Sequence, residues 1–481
     1  MHGTPQRRPN ILFICTDQQR YDTLGAYGNA HARTPVLDAL AESGVVFDNC
    51  YVQNPVCAPS RASLMTGRYV AAHGLHANGV ALPEGNRLFM KNLADSGYDC
   101  ALFGKQHLSS CFGGRDEIRQ DDGYRVYRHS HDPRHPSPRN AYHQWLRREH
   151  PALYAAAEQG TGSFDDMPTE AHYSHWAAEE AIDYLRTGRE PDKPFFAWVN
   201  FYDPHHDFVA PPEYLDRFDP AALPSPVGSP ADLADRPAVL TEASVKSYAG
   251  HLPGFQDYDE AGIRDIVHNY YAMIALIDDE VGRILAALDE AGLAEDTLVV
   301  FTSDHGENLG DHGLLLKGPM FYEGAVRVPL VMRWPAGLPA GERRAGLVQW
   351  IDLNATLTDA AGIPPLPRAQ GTSLLPTARG EADGVRDWAL CEYRDSGHPY
   401  ADPCHATMLR TGVHKLVVHH GAPVSGRARN GELYDLAADP REMTNLWHDP
   451  GRRELRAGLE AYLMDVLVAV QDRTQPRDGH W

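Results

Sequence analysis

A chain of 481 residues exceeds the roughly 250–300 at which single hydrophobic cores divide, so a second domain is expected. Its 44 Lys+Arg against 65 Asp+Glu give a net charge of −21, which argues against nucleic acid or an anionic membrane surface as partner, because both demand a basic footprint. A small anionic substrate is not excluded, since it reads only the local field of its pocket.

The first element, NILFICT (10–16), is a short continuous apolar run followed by Asp17, the pattern of a strand buried on both faces. Ligands of open α/β sheets gather beyond the carboxyl ends of the strands, so Asp17 stands where a metal could bind. TPVLDALAESG predicts an amphipathic helix stopped by glycine, VVFDNCYV a strand, and RASLMTGRY a helix whose N-terminus lies at Ser60-Arg61. Cys57 then sits at a positive helix end, where developing negative charge is favoured. LFMKNLADSG reads as a helix, and YDCALFGKQHL and KPFFAWVNFYDPHHDF as strands running into loops. Residues 261–292 form a long helical pattern with apolar positions near i, i+3, i+4 and i+7, stopped at Gly292.

That helix feeds TLVVFTSDHG, where Asp304-His305 follows a buried strand as Asp17 does. If both strands share one parallel sheet, two distant carboxylates converge, as a hard divalent cation requires, with imidazole admissible for manganese or softer ions. The expected fold class is α/β, a large mostly parallel sheet flanked by helices. The Pro/Gly-rich AGIPPLPRAQG (361–371) marks a boundary between a catalytic domain, 1–365, and a smaller α+β subdomain, 366–481. The subdomain is read as an antiparallel sheet, with RTGVHKLVVHH and ELYDL as strands, plus the helix RRELRAGLEAYLMDVLVAVQDR. Residues 108–170 and 220–260 show no regular pattern.

Seven cysteines, at 15, 50, 57, 100, 111, 391 and 404, have no paired spacing, and an odd count in so long a chain points to a reducing compartment. MHGTPQRRPN carries no apolar leader core and no run of about 18 apolar residues follows, so a cytoplasmic protein is expected. Among 25 histidines, His129, His131, His135 and His143 cluster in a Pro/Arg-rich stretch, which reads as a surface segment rather than a metal store.

The segments NILFICTDQQ, TPVLDALAESGVVF, CAPSRASLMTGR, FGKQHL, PHHDF, SDHGENLGDHG, KGPMFYEGAVRVPLVMRWP and ELYDLAADPREMTNL follow one another in order. From about Pro9 to the C-terminus they resemble the alkaline phosphatase superfamily in its type I sulfatase branch. Cys57-Ala58-Pro59-Ser60-Arg61 resembles the C-x-P-S-R signature of that branch, FGKQHL its G-K-x-H-L and PHHDF its P-H-x-P-F. The resemblance implies that a formylglycine-generating enzyme oxidises Cys57 after synthesis to an aldehyde whose hydrate has two hydroxyls on one carbon. The chemical need is plain. A serine that attacked a sulfate ester would itself become a stable sulfate ester, whereas a geminal diol can expel sulfate by collapsing to the aldehyde.

The same resemblance implies one divalent metal ion held by Asp17, Asp304, His305 and formylglycine from Cys57, with Gln18 as a further ligand or a contact just outside the set. Many sulfatases have a second aspartate at the position of Gln18 and bind calcium. An amide removes one negative charge and fits magnesium or manganese at least as well. Asp-Gln and Asp-His pairs also occur in choline-sulfatase-like and phosphonate-monoester-hydrolase-like relatives. By resemblance, Arg61 holds the diol, Lys105 bridges the sulfuryl oxygens and the nucleophile, and His107 takes the proton of the second hydroxyl. An ordinary imidazole pKa near 6.5 suits that base at neutral pH. His205 and Lys317 assist departure of the alkoxide, Asn78 contacts the transferred group, and Glu307, Asp311 and His312 orient ligands.

The expected activity is hydrolysis of a sulfate monoester of a sugar, an aryl alcohol or choline by attack at sulfur. A phosphonate monoester or phosphodiester hydrolase with the same nucleophile is the alternative, and a non-catalytic binding protein with Cys57 left as a thiol is a third reading. Association into a homo-oligomer stays open.

Overall fold

The computed structural model describes residues 8–397, 403–421 and 428–471. Nine strands form one sheet: β1 (Asn10–Thr16), β2 (Val45–Tyr51), β3 (Asp99–Gly104), β4 (Val126–His129), β5 (Phe195–Asn200), β6 (Thr297–Ser303), β7 (Arg327–Val328), β8 (Leu330–Arg333) and β9 (Glu342–Gln349). Their order is β4-β3-β5-β1-β6-β8-β2-β7, with β9 also on β2. All seven residues of β1 are buried, as its apolar run predicts for a central parallel strand.

Register does most of the work of placing the site. β1 runs parallel to β6, with Thr16 opposite Ser303, so Asp17 and Asp304 leave the sheet side by side. β1 also pairs parallel with β5, Cys15 opposite Asn200, and β5 with β3, Asn200 opposite Gly104. Asp17, Asn200, Lys105 and Asp304 therefore emerge along one edge of four neighbouring strands. β2 does not touch β1. It is antiparallel to β8, which is antiparallel to β6, and the two reversals cancel, so β2 also delivers its C-terminal end, and then Cys57, to that edge.

Helices flank the sheet: α1 (Pro35–Glu42), α2 (Cys57–Thr66), α3 (Phe89–Asp95), α4 (Tyr173–Asp183), α5 (Glu260–Glu290) and α6 (Asp352–Ala360). The α2 helix corrects the sequence reading. It begins at Cys57 itself, not at Ser60-Arg61. Pro59 is compatible with this because it lies in the first turn, where a helix has no intrahelical partner for its N–H groups. All ten residues of α2 are buried, which explains why it lacks an amphipathic signature. The long α5 ends at Glu290, two residues before the predicted glycine stop.

A second sheet is antiparallel, in the order β10 (Trp388–Arg394), β11 (His405–Thr411), β12 (His414–His419) and β13 (Asn430–Asp435). RTGVHKLVVHH, read as one strand, is divided between β11 and β12, with Thr411 paired to His414 across the two-residue turn Gly412-Val413. Gly412, at φ 33°, permits that turn. Alternation sorts the sheet's two faces. Ala389, Cys391, Tyr393, Met408, Val417 and Tyr434 join the large core, while Leu390, Leu409, Leu416, Val418 and Leu433 pack with Leu463 and Val466 of α7 (Arg453–Ala469).

A buried ion cluster ties this sheet to the large core. Lys415 Nζ donates to Glu323 Oε1 and Glu442 Oε1, each at 2.7 Å, and to Phe321 O at 2.8 Å. Removing the cation takes the ion partner from buried Glu442 and leaves Glu323 with Arg327 at 3.3 Å, so Lys415→Met is expected to cost about 3 kcal/mol, read as a lowered urea midpoint at unchanged m.

Candidate active site

Arg61, one turn into α2 and fully buried, is the hub of the site. Its Nε donates to Asp304 Oδ2 at 2.7 Å, its Nη2 lies 3.4 Å from Asp17 Oδ2, and its Nη1 donates to Asn200 Oδ1 at 2.8 Å and to Lys105 O at 3.0 Å. Ser60 Oγ donates to Asp304 O at 2.6 Å, tying α2 to the end of β6. Lys105 Nζ donates to Asp17 Oδ2 at 2.7 Å. Burial pushes the Asp17 carboxyl up, but Lys105, Arg61, Lys317 and His305 together hold it well below the usual carboxylate range.

One oxygen of each carboxylate remains turned to the centre. Ligand atoms of Asp17, Cys57, Asp304 and His305 all lie within 4.8 Å of one another, and all four residues are buried. His305 Nδ1 donates to Gly306 O at 2.8 Å, leaving Nε2 to face Cys57 Sγ at 3.0 Å. A second-nitrogen hydrogen bond of this kind fixes the ring of a metal-binding histidine. Two carboxylates, one imidazole and the Cys57 side chain in one buried cluster fit a single divalent cation.

Lys317 also converges on Cys57, with its Nζ 3.3 Å from His305 Nε2. Its Nζ donates to Sγ at 3.0 Å and to Gln18 Oε1 at 2.7 Å, and lies 3.0 Å from His205 Nε2. His205 Nδ1 donates to His206 O at 2.6 Å, so Nε2 is the acceptor for Lys317. Burial, with His206, Lys317 and Lys105 nearby, holds His205 well below the usual imidazole pKa. Burial and Asp17 raise the Cys57 thiol, but Lys105, Lys317 and His305 outweigh them and hold it below the ordinary thiol value.

Gln18 turns its amide oxygen to Lys317, beside Cys57, and its amide nitrogen to Glu307. Its Nε2 donates to Glu307 Oε2, and its backbone N donates to Asp304 Oδ1 at 3.1 Å. Glu307 orients Gln18, as expected of a group behind the site. Asp311 and His312 do not join it: Asp311 pairs with Arg20 at 2.8 Å, and His312 stacks on Tyr322 with ring centroids 4.1 Å apart. Asn78 Oδ1 accepts from Ala58 N at 3.0 Å, capping the first turn of α2 beside the nucleophile position.

His107 follows Lys105 on the loop after β3, but its ring packs edge-on against His131, centroids 4.5 Å apart, and its Nδ1 is buried without a hydrogen-bond partner. Burial, His131, Lys105 and Arg61 hold its pKa well below 6.5. The histidine cluster is thus not the surface segment the sequence suggested. His135 and His143 are buried, and His143 Nε2 donates to Pro133 O at 2.8 Å while its ring stacks on Phe164.

The sequence reading missed Asn200 and His206. Asn200 had a signal, a polar residue closing the apolar run FFAWVN as Asp17 closes NILFICT. His206 was visible in PHHDF, but only the fold shows it stacked on His205 with centroids 3.9 Å apart.

Comparison with known proteins gives a consistent assignment. The family model described as Sulfatase matches residues 9–363, and that described as N-sulphoglucosamine sulphohydrolase, C-terminal, matches 310–469. The N-acetylglucosamine-6-O-sulfatase of Bacteroides thetaiotaomicron is 26% identical over 98% of this chain and 88% of its own. The multifunctional alkaline phosphatase superfamily protein PehA of Trinickia caryophylli is 32% identical over 97% of this chain and 96% of its own. The crystal structure of the phosphonate monoester hydrolase of Agrobacterium radiobacter is similar at a TM-score of 0.81 and 28% identity, with 97% of each chain covered. The chain belongs to the sulfatase family of the alkaline phosphatase superfamily and is a sulfuric ester hydrolase.

Proposed function

We propose that the protein hydrolyses sulfate monoesters, with sugar sulfates the first class to test, through a formylglycine derived from Cys57 and one bound divalent metal ion. The observation that carries this reading is the position of Cys57 at the N-terminus of α2, inside the Asp17, Asp304 and His305 cluster and 3.0 Å from Lys317 Nζ. The converted residue would supply a geminal diol, one hydroxyl to receive the sulfuryl group and a second whose deprotonation releases sulfate. A divalent ion held by Asp17, Asp304 and His305, manganese, magnesium or calcium, would supply Lewis acidity and lower the pKa of an oxygen it binds.

The chain's own groups divide the remaining work. Arg61 fixes the inner oxygens of Asp17 and Asp304 and leaves the outer ones for the cation. Lys105, held by Asp17, contributes positive charge toward the transferred group. Lys317 and His205 share one hydrogen bond beside the nucleophile position, so an ammonium proton stands ready for the departing oxygen. His107, neutral because its pKa is depressed, is ready to accept a proton in the step that expels sulfate.

A second reading, hydrolysis of phosphonate monoesters, is favoured by Gln18, whose amide stands where many sulfatases carry an aspartate. A reducing, cytoplasmic location and maturation by a formylglycine-generating enzyme belong to the same proposal; that Cys15, Cys50, Cys57, Cys100, Cys111 and Cys391 are free thiols supports the first.

Four results are expected. Peptide mass analysis of protein produced with a converting enzyme should show sulfur lost and oxygen gained at Cys57, and Cys57→Ala should lower turnover of 4-nitrophenyl sulfate at least about 10³-fold. A persistent thiol, or near-normal Cys57→Ala rates, would sink the mechanism, while a kcat/KM favouring phenyl 4-nitrophenyl phosphonate over 4-nitrophenyl sulfate would select the second reading. Elemental analysis should find about one divalent ion per chain, as one ligand cluster implies. Because His107 is depressed and acts after the alcohol has left, kcat should stay level from pH 7.5 down to 6, where a base of ordinary pKa would already have lost roughly fourfold.

A further inference from the structure

The loop after β3 carries two of the site residues, and they are held in different ways. Lys105 has two anchors at the site itself, its Nζ on Asp17 Oδ2 at 2.7 Å and its carbonyl under Arg61 Nη1 at 3.0 Å. His107 has neither. Its backbone lies in the left-handed region, φ 68°, which is unfavourable for a non-glycine residue and persists only where the surroundings enforce it.

The enforcing group is Glu117, a buried carboxylate ten residues further on. Its Oε2 accepts from His107 N at 2.8 Å, and its Oε1 accepts from Leu108 N, so one side chain grips two successive amides. Hydrogen bonds to an ionised acceptor are about twice as strong as neutral ones. His129 Nε2 lies 3.1 Å from Glu117 Oε2 and donates to it. His129 closes β4 and pairs with Gly104, the last residue of β3, so the carboxylate is referred back to the sheet at the point where the loop departs. The His107 ring has no hydrogen-bond partner at its buried Nδ1, so its aim follows from its edge-on contact with His131 and from the backbone that Glu117 holds.

We propose that Glu117 is the positioning residue for His107, acting through the His107 and Leu108 amides, with His129 as its anchor on the sheet. This rests on the reading above in which His107 takes a proton as sulfate is expelled. Because Lys105 keeps its own anchors, loss of Glu117 displaces the base and spares the charge that receives the sulfuryl group. The reaction should therefore be split: release of the alcohol continues, and release of sulfate slows.

The test is stopped-flow hydrolysis of 4-nitrophenyl sulfate by matured wild type, Glu117→Gln and His129→Phe. Glutamine keeps the size but offers an N–H to one of the two amides. E117Q should release a burst of about one 4-nitrophenol per chain at the wild-type rate, then turn over at least roughly 10-fold more slowly, with KM falling in step and kcat/KM unchanged. H129F, which keeps the ring stacked on Tyr127, should show the same split at about threefold. A wild-type steady-state rate in E117Q, or an equal loss of burst and turnover, would overturn the positioning role. Should E117Q fail to fold, H129F decides, and a wild-type kcat there counts against the proposal. Failure of the formylglycine reading is seen separately, in an unconverted Cys57 or an active Cys57→Ala protein.

Discussion

The Arg61 guanidinium is the contact on which the site depends. Two parallel strands with matched register bring Asp17 and Asp304 out of the sheet as neighbours, both without solvent access. Two buried like charges at that distance repel strongly and would each favour the protonated form. Arg61 resolves this by placing Nε on one carboxylate and Nη2 near the other, and its planar fork leaves Nη1 to bind Asn200 and the Lys105 carbonyl. Lysine in that position could neutralise charge but could not reach four groups at fixed angles. The same residue sits one turn into the helix that begins at Cys57, so the device that offsets the charge of both carboxylates also sets the distance from Cys57 to them.

Much of this was legible because it is written in short periods. NILFICT followed by Asp17 and TLVVFTS followed by Asp304 declare buried strands with an acid at the carboxyl end, and parallel pairing does the rest. The beginning of α2 was not legible, since a wholly buried helix has no amphipathic stripe to mark where it starts. Nor was the split of RTGVHKLVVHH, where a single glycine turn hides inside what scans as one apolar run. The histidines near residue 131 were misread for a third reason. Their burial comes from docking a segment without periodicity against the loop after β3, and that is a property of tertiary contacts alone.

Glycine at one position shows how close the packing is. Gly104 ends β3 at φ 103°, and a Cβ there would collide with the carbonyl oxygen of Asn200. The strand can thus turn sharply into the Lys105 loop only because that residue has no side chain. Asn200 in turn is held by Arg61, so the turn, the loop and the carboxylate pair are set by one connected group of contacts.

The two lysines differ in the way that matters for an anionic substrate. Lys105 is spent on Asp17, whereas Lys317 makes no ion pair with a carboxylate among the described residues and instead donates to Gln18, a neutral amide. An aspartate at position 18 would set a second negative charge against Lys317 and quench it before substrate arrived. The amide, oriented by Glu307, fixes the direction of the ammonium without cancelling its charge. Two carboxylates then face three cations, Arg61, Lys105 and Lys317, and the surplus lies on the side of Cys57 where His205 also converges. The amide at position 18 therefore leaves the positive charge of Lys317 uncancelled beside Cys57. Sulfate and phosphonate monoesters are both monoanions, so charge alone does not separate the two readings, and the atom attacked, sulfur or phosphorus, has to be decided by rates.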